Sequence, residues 1–247
     1  MRALLKLIQT EARLFLREPV GAFFGLAFPA LILLVLGNAI PYFTEPLAEL
    51  GGRRPIDIYL PVVLAMAIAT VATITFHASL SAARQKGVLR RLATTPVSPT
   101  KLLTAQLIVN VGALLVGSIL AFVTATIAFG IEAPRNVAGV VVAFLLGSAC
   151  MCSVAILIAS LSPSAAASSG IGSLVYFPMM FFAGVWTPGP AMPETARRIA
   201  DFVPLGAASQ SMQDSWAGAW PSPLHLAVMG GLALLLTAAA ARWFRWE

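Results

Sequence analysis

The amino-acid sequence predicts an all-α membrane protein with six membrane-spanning helices, and its composition, apolar run lengths and charge distribution all indicate this. Apolar residues make up 59% of the 247 residues and charged residues only 11%, whereas soluble domains carry roughly 25% charged residues. A surface so poor in charge suits lipid rather than water. The net charge of +6 is therefore assigned to membrane topology, and no nucleic-acid partner is expected.

Six runs are long and apolar enough to cross a bilayer, which takes about 20 such residues. We expect one transmembrane domain over 1–247, with an interfacial helix at 1–18, a coupling loop at 83–99 and an external segment at 188–223 that holds short helices. The spans are predicted at 20–40, 56–80, 102–129, 137–161, 165–186 and 224–241. The short turn Ser162–Ser164 makes the fourth and fifth spans an antiparallel hairpin.

The distribution of lysine and arginine predicts the orientation. Eleven of the 16 basic residues fall in segments on one side of the predicted spans, and five fall on the other. Because basic residues are held on the cytosolic side, both termini are expected in the cytosol. The even number of spans agrees with this placement. We expect a multi-pass protein of the bacterial inner membrane, in contact with membrane lipids.

The first eighteen residues are predicted to form an amphipathic helix on the inner leaflet. At 100° per residue the basic residues Arg2, Lys6, Arg13 and Arg17 fall on one face and leucines fill the other, as interfacial helices require. Two acids, Glu11 and Glu18, interrupt the pattern on or beside the apolar face. Either they reach water at the helix flank, or they pair with the basic loop 83–99.

The loop between the second and third predicted spans combines charge with apolar side chains. Val88, Leu89 and Leu92 recur at helical spacing among four basic residues, and Pro96 and Pro99 follow. A loop that only fixes topology needs the charges but not the apolar residues. We therefore interpret it as a short cytosolic helix that docks on a partner, with a plain basic loop as the alternative.

The run RQKGVLRRLATTPVSPTKLL resembles the first cytosolic loop of the membrane subunits of type 2 ABC exporters, where it forms the coupling helix that the ATPase contacts. The end of the fifth span, the following prolines and the run 199–205 resemble that family too. A departure is Gln85, where many relatives carry glutamate; Glu11 or Glu18 would then supply the carboxylate. The resemblance implies coupling through Arg84, Gln85, Lys86, Gly87, Val88, Leu89, Arg90, Arg91, Leu92, Glu11 and Glu18.

The resemblance also implies that two such subunits pair, as identical copies or close paralogues, with the second and fifth spans lining the path. Two ATPase subunits would bind ATP and Mg, and this chain would hold no cofactor. The path candidates are Thr70, Thr73, His77, Tyr176, Phe177, Met180 and Phe181. The alternatives are that the threonines bond their own helix backbone, that His77 is interfacial and that the fifth-span residues are ordinary packing.

Chemical motifs that would give this chain its own energy source or catalysis are absent from the sequence. It contains no GxxxxGK[ST] phosphate loop, no HExxH, no GxSxG and no acid deep within a predicted span. The chain alone is therefore not expected to be an enzyme or to bind metal. We predict a permease that exports an amphipathic, drug-like or lipid-like substrate. The alternatives are a secondary transporter or channel, a membrane enzyme or scaffold, and the membrane part of a non-transporting ABC sensor complex.

Overall fold

The computed structural model describes residues 2–77, 80–81, 99–187 and 192–243. Over these ranges it contains six helices long and apolar enough to cross a membrane, which confirms the predicted span count. The prediction for span 4 matches the helix, and most other ends move by one residue. The spans, numbered 1 to 6 in chain order, are Pro19–Ala39, Pro55–Phe76, Lys101–Phe129, Val137–Leu161, Ala165–Phe182 and Pro223–Arg242.

Span 2 is the central helix of the bundle. Over the most apolar 18 residues of span 2, 94% of the residues are buried, whereas 22% or less are buried over the same length of spans 1, 3, 5 and 6. The run from Pro55 to Thr70 is apolar on all sides, with Asp57 in its first turn, and a helix that is hydrophobic all round is one that neighbours enclose. Spans 1, 3, 4 and 5 therefore pack around span 2 and expose their outer faces, and span 6 packs against span 4.

Two spans depart locally from α-helical geometry. Span 1 contains a π-helical segment at Phe23–Ala27, and span 2 contains another at Val71–Phe76. The first lies where span 1 crosses span 3, and a Cβ atom at Gly117 would stand 2.1 Å from the carbonyl oxygen of Gly25. Such contact between backbones needs small residues, as is common between membrane helices. The second π segment ends just before His77.

An amphipathic helix forms over Arg2–Arg17 and packs against span 3. It precedes span 1 with only Glu18 between the two helices. The end of the bundle with this helix and the Ser162–Ser164 turn is called the inner end. The opposite end, which carries the connections 40–54, 130–136, 183–187 and 192–222, is called the outer end, following the orientation predicted from charge.

The connection between spans 5 and 6 differs from the sequence-based prediction in two ways. Span 5 ends at Phe182 rather than at 186, because the chain turns there and Gly184 adopts a positive φ of 87°. After a short helix at Glu194–Ala200, a longer helix at Pro204–Trp216 packs against spans 2, 4, 5 and 6. Most of its residues are buried, so we call it the inserted helix.

Small side chains let the inserted helix approach span 4 closely. A Cβ at Gly147 would lie 2.7 Å from the Cβ of Ala208, and one at Gly139 would lie 2.5 Å from the Oγ of Ser215. The helix thus runs along the outer half of span 4. The outer end therefore contains a buried helix packed beside span 2 in addition to the connecting loops.

Candidate functional site

The path candidates of span 2 lie inside the subunit and face span 5. Thr70, Thr73 and His77 expose 2%, 0% and 1% of their surfaces. The facing positions on span 5 are Gly172 and Tyr176. We call these five residues the seam, because they join spans 2 and 5 along their length.

A short hydrogen-bond chain fixes one part of the seam. The Thr70 hydroxyl donates to the carbonyl oxygen of Met66, one turn earlier, at 2.8 Å. Its oxygen lies 3.1 Å from the Tyr176 hydroxyl. Because Thr70 has a single hydroxyl proton, Tyr176 must be the donor in the second bond. Thr70 therefore bonds its own helix backbone and also contacts Tyr176 of span 5, so the two alternatives do not exclude each other.

Closer to the inner end the seam depends on a glycine. A Cβ at Gly172 would lie 2.6 Å from the carbonyl oxygen of Thr73 and 2.8 Å from Nε2 of His77. Only hydrogen fits in that space, so the backbones of spans 2 and 5 are in direct contact. Both ring nitrogens of His77 are buried and have no hydrogen-bond partner among the described residues, and the imidazole fills the space beside Gly172.

The four candidates of span 5 divide between two faces of that helix. Met180 is 2% exposed and Tyr176 packs against the same core, whereas Phe177 is 61% and Phe181 is 39% exposed. The reason is helical geometry, since neighbouring residues point about 100° apart while residues four apart share a face. Tyr176 and Met180 therefore contribute to the inner packing around span 2, and the two phenylalanines form part of an apolar outer face.

The candidate coupling residues 84–92 lie outside the described residues, so the docking interpretation stays a prediction. Their proposed acidic partners are described. Glu11 lies on the amphipathic helix against span 3, and this burial raises the pKa of its carboxyl, an effect that a hydrogen bond from Gln106 partly offsets. Glu18 is exposed at the junction between the amphipathic helix and span 1.

Sequence reasoning missed a cavity of about 850 Å³ at the outer end. It lies between the connections 46–54 and 130–135, the start of span 2, the end of span 5 and the inserted helix. Four arginines line it, at 53, 54, 135 and 197. The sequence signal was present, because these arginines lie on the side from which basic residues are normally depleted.

Arg54 is the structural member of this group. Its guanidinium binds both carboxylate oxygens of Asp57, with Nε at 2.9 Å and Nη2 at 2.6 Å, and Nη1 donates to the carbonyl oxygen of Phe129 at 2.8 Å. Phe129 ends span 3, where backbone carbonyls have no partner within the helix and the helix dipole favours a cation. Arg54 thus ties the start of span 2 to the end of span 3.

Hydrogen bonds also fasten the remaining cavity walls. Ser209 on the inserted helix donates to the carbonyl oxygen of Ala183 at 2.7 Å, and Nε1 of Trp216 donates to the carbonyl oxygen of Glu132 at 3.1 Å. The Tyr59 hydroxyl of span 2 donates to the carbonyl oxygen of Val185. The cavity is therefore lined by elements that are hydrogen-bonded to one another, and it opens to the surface on one side.

Within the described ranges, no group of three or more His, Cys, Asp or Glu side chains is arranged to hold a metal ion. Cys150 and Cys152 are free and buried in span 4, where Cys150 packs against Ala207 and Ala208 of the inserted helix. They serve as small apolar packing residues.

Comparison with known proteins agrees with this architecture. A search of curated proteins found no significant match. The family model described as "ABC-2 type transporter" matches residues 2–215, from the amphipathic helix to the inserted helix. The match covers most of the 247 residues. With its six apolar spans, the chain is therefore a multi-pass membrane protein that belongs to the ABC-2 type transporter family, as the permease component that works with an ABC ATPase.

Proposed function

We propose that this permease exports an amphipathic substrate, drug-like or lipid-like, using ATP hydrolysed by a separate subunit. Two permease chains, identical or closely related, would combine with two ATPase subunits that bind ATP and Mg in the bacterial inner membrane. The observation that carries the proposal is the position of span 2. It is the enclosed centre of the bundle, and the chain runs directly from its inner end into the basic loop 83–99.

The connection between loop and span suggests how force reaches the pathway. A partner that moves the loop acts on the inner end of span 2, next to the π segment Val71–Phe76 and the seam. π segments interrupt regular helical hydrogen bonding and recur at functional sites. The chain has no phosphate loop of its own, so the energy for this movement would come from the bound ATPase.

The seam is the candidate gate under this proposal. In the structure the seam is closed, because the backbones of spans 2 and 5 are in contact at Gly172 and the Tyr176 hydroxyl donates a hydrogen bond to Thr70. Moving span 2 away from span 5 would break the Tyr176–Thr70 bond and the 2.9 Å bond from the Ser81 hydroxyl to the Ser168 hydroxyl, each at a net cost of about 0.5–1.5 kcal/mol. It would also separate packed surfaces and expose a lining of small hydroxyls and an imidazole.

The exposed face of span 5 supports an amphipathic cargo. Leu174, Phe177 and Phe181 are exposed large apolar residues on this helix. Aromatic and aliphatic surfaces accept apolar ligands of varied shape. Paired across two subunits, these faces would present an apolar wall without fixed charge, which suits a drug-like or lipid-like molecule better than a strongly hydrated one.

The test is to reverse the charge of the loop without touching the spans. The variant carrying Arg90→Glu and Arg91→Glu is co-expressed with the ATPase partner, and ATP-driven uptake of a fluorescent amphiphile into inside-out vesicles is measured with ATPase activity. The matched control is Arg242→Glu, which changes a basic residue in the last turn of span 6. We expect the double variant to lose uptake and ATPase stimulation, while the control retains both.

The outcome separates coupling from folding. Span integrity is checked by expression level and by the thermal unfolding temperature of the purified permease. If the double variant assembles normally and still pumps with a stimulated ATPase, the loop does not transmit force and the proposal fails.

A further inference from the structure

We infer that the outer cavity is a binding site for the phosphate or carboxylate head of a small amphiphile, held by Arg53, Arg135 and Arg197. This site lies apart from the seam and the inner loop. It requires only the geometry of the outer end, so it does not depend on ATP coupling.

The first support is that these three arginines are exposed at the cavity and form no ion pair with another described residue. Among the ion pairs formed within the described part of the chain, none includes Arg53, Arg135 or Arg197. Arg54, by contrast, is fully engaged with Asp57 and the end of span 3. Free guanidiniums around one cavity suit a planar or tetrahedral oxyanion, because each presents several donors in a fixed fork.

The second support is an amide side chain in the cavity wall. Gln210, on the inserted helix, lines the cavity, and its Nε2 is buried with no hydrogen-bond partner among the residues that the structure describes. A buried amide without a partner costs free energy unless something accepts its hydrogens. Rotation of the terminal amide, which exchanges the positions of Oε1 and Nε2, would turn this donor toward the cavity. An oxyanion seated among the arginines would then accept its hydrogen bond.

The third support is the contrast between the polar groups and the apolar part of the lining. Ile58, Pro61, Phe182, Ala183 and Met192 contribute apolar surface. A cavity of about 850 Å³ falls in the range of small-molecule sites, roughly 300–1,000 Å³, which combine apolar walls with a few polar groups. The lining therefore suits a ligand with a charged head and a short apolar tail.

The acidic residues of the lining limit the charge of the ligand. Asp57 is neutralised by Arg54, which leaves Glu132 and Asp214 against the three free arginines. Asp214 opens to solvent on one side, and desolvation by the protein on its other side raises its pKa, with Asp201 adding to the shift and His225 opposing it. The lining keeps a positive excess, so it favours an anionic head over a cationic one.

Binding is tested on the full chain in phosphatidylcholine nanodiscs by calorimetric titration with hexyl phosphate, hexyltrimethylammonium and inorganic phosphate. We expect saturable binding of hexyl phosphate and none of hexyltrimethylammonium. Replacing the three arginines by glutamine should weaken hexyl phosphate binding by roughly tenfold or more, as charge-assisted hydrogen bonds to each are lost. Inorganic phosphate that binds as tightly as hexyl phosphate would identify a free anion as the source.

A lipid source is distinguished by the nanodisc composition. If phosphatidylglycerol nanodiscs abolish hexyl phosphate binding, a membrane lipid headgroup occupies the site, which also supports the inference. The control is Arg198→Gln, which lies beside Arg197 on the same short helix but pairs with Glu194 and does not line the cavity.

The single variants Arg197→Gln and Arg198→Gln keep the test decisive if the triple variant does not fold. Only the first should weaken binding. Absence of saturable hexyl phosphate binding in phosphatidylcholine nanodiscs, or equal weakening by both single variants, would overturn the inference.

Discussion

Replacing Gly172 by alanine should force spans 2 and 5 apart. The added methyl carbon would lie 2.6 Å from the carbonyl oxygen of Thr73, 2.7 Å from Cε1 of His77 and 2.8 Å from its Nε2. Ordinary contacts between such atoms are about 3.5 Å, so the helices must separate by several tenths of an ångström. The carbonyl belongs to the backbone of the central span and cannot rotate away as a side chain would.

The expected cost follows from overpacking, which typically destabilises by about 1–3 kcal/mol. For a chain of this size, 1 kcal/mol corresponds to roughly 2–4 °C in the thermal unfolding temperature. The matched control is Gly170→Ala on the same helix, where an added Cβ meets nothing within 4 Å. There alanine should be neutral or stabilising by up to about 1 kcal/mol, because it favours the helix over glycine.

The assay is thermal unfolding of the purified permease in detergent, followed by loss of monodisperse protein on size-exclusion chromatography. Gly172→Ala should unfold several degrees below the wild-type protein, and Gly170→Ala at or above it. Adding His77→Ala to Gly172→Ala should recover only part of the loss, since the Thr73 carbonyl contact remains. Equal unfolding temperatures for the two alanine variants would refute the close contact of spans 2 and 5.

Three further predictions concern other contacts of the described structure. Tyr176→Phe should cost only about 0.5–1 kcal/mol in unfolding free energy, because Thr70 keeps its backbone bond; a loss above 3 kcal/mol would contradict this. Arg54→Gln should lower the unfolding free energy by about 1–3 kcal/mol and increase amide hydrogen exchange near Phe129. Unchanged exchange would show that Arg54 does not stabilise the end of span 3. Glu11→Gln should raise the unfolding free energy at pH 7, because burial raises the pKa of the Glu11 carboxyl and so makes its ionised form unfavourable in the folded protein. This gain should disappear below pH 4.5, the ordinary pKa, where the carboxyl is protonated in both states. A gain that does not change with pH would exclude titration of Glu11 as its cause.

The spans could be predicted from sequence because each is a long apolar run that only a bilayer or a buried core accommodates. The central place of span 2 was also readable in principle, since the run from Pro55 to Thr70 has one charged residue and no polar face. The end of span 5 was overestimated, because apolar residues continue to Trp186 although Gly184 turns the chain.

The inserted helix could not be found by searching for hydrophobic runs. Ser209, Ser211 and Ser215 are buried in it, and their hydroxyls lower its hydropathy below that of a span. Its signal lies in small residues, since Gly206 packs against Ala200 and Ala208 against Gly147 at distances that no larger side chain permits. Recognising that pattern requires knowing which helix it meets, which is a property of the folded chain.

The path candidates were predicted to line one pathway, and the structure divides them between the buried contact of spans 2 and 5 and the exposed face of span 5. The helical period alone separates Tyr176 from Phe177 and Met180 from Phe181, so their division between two faces was predictable. The outer cavity was not, because its lining comes from connections far apart in sequence. Arg53 and Arg197 line the same cavity only in the folded chain, where the inserted helix forms one of its walls.

The energy source of transport distinguishes an ATP-driven exporter from a secondary transporter or channel. Uptake of a fluorescent amphiphile is recorded in inside-out vesicles that contain the permease alone, or the permease with its ATPase partner, with and without ATP and an ion gradient. We predict accumulation only when permease, ATPase and ATP are all present. Accumulation by the permease alone under an ion gradient would contradict the account.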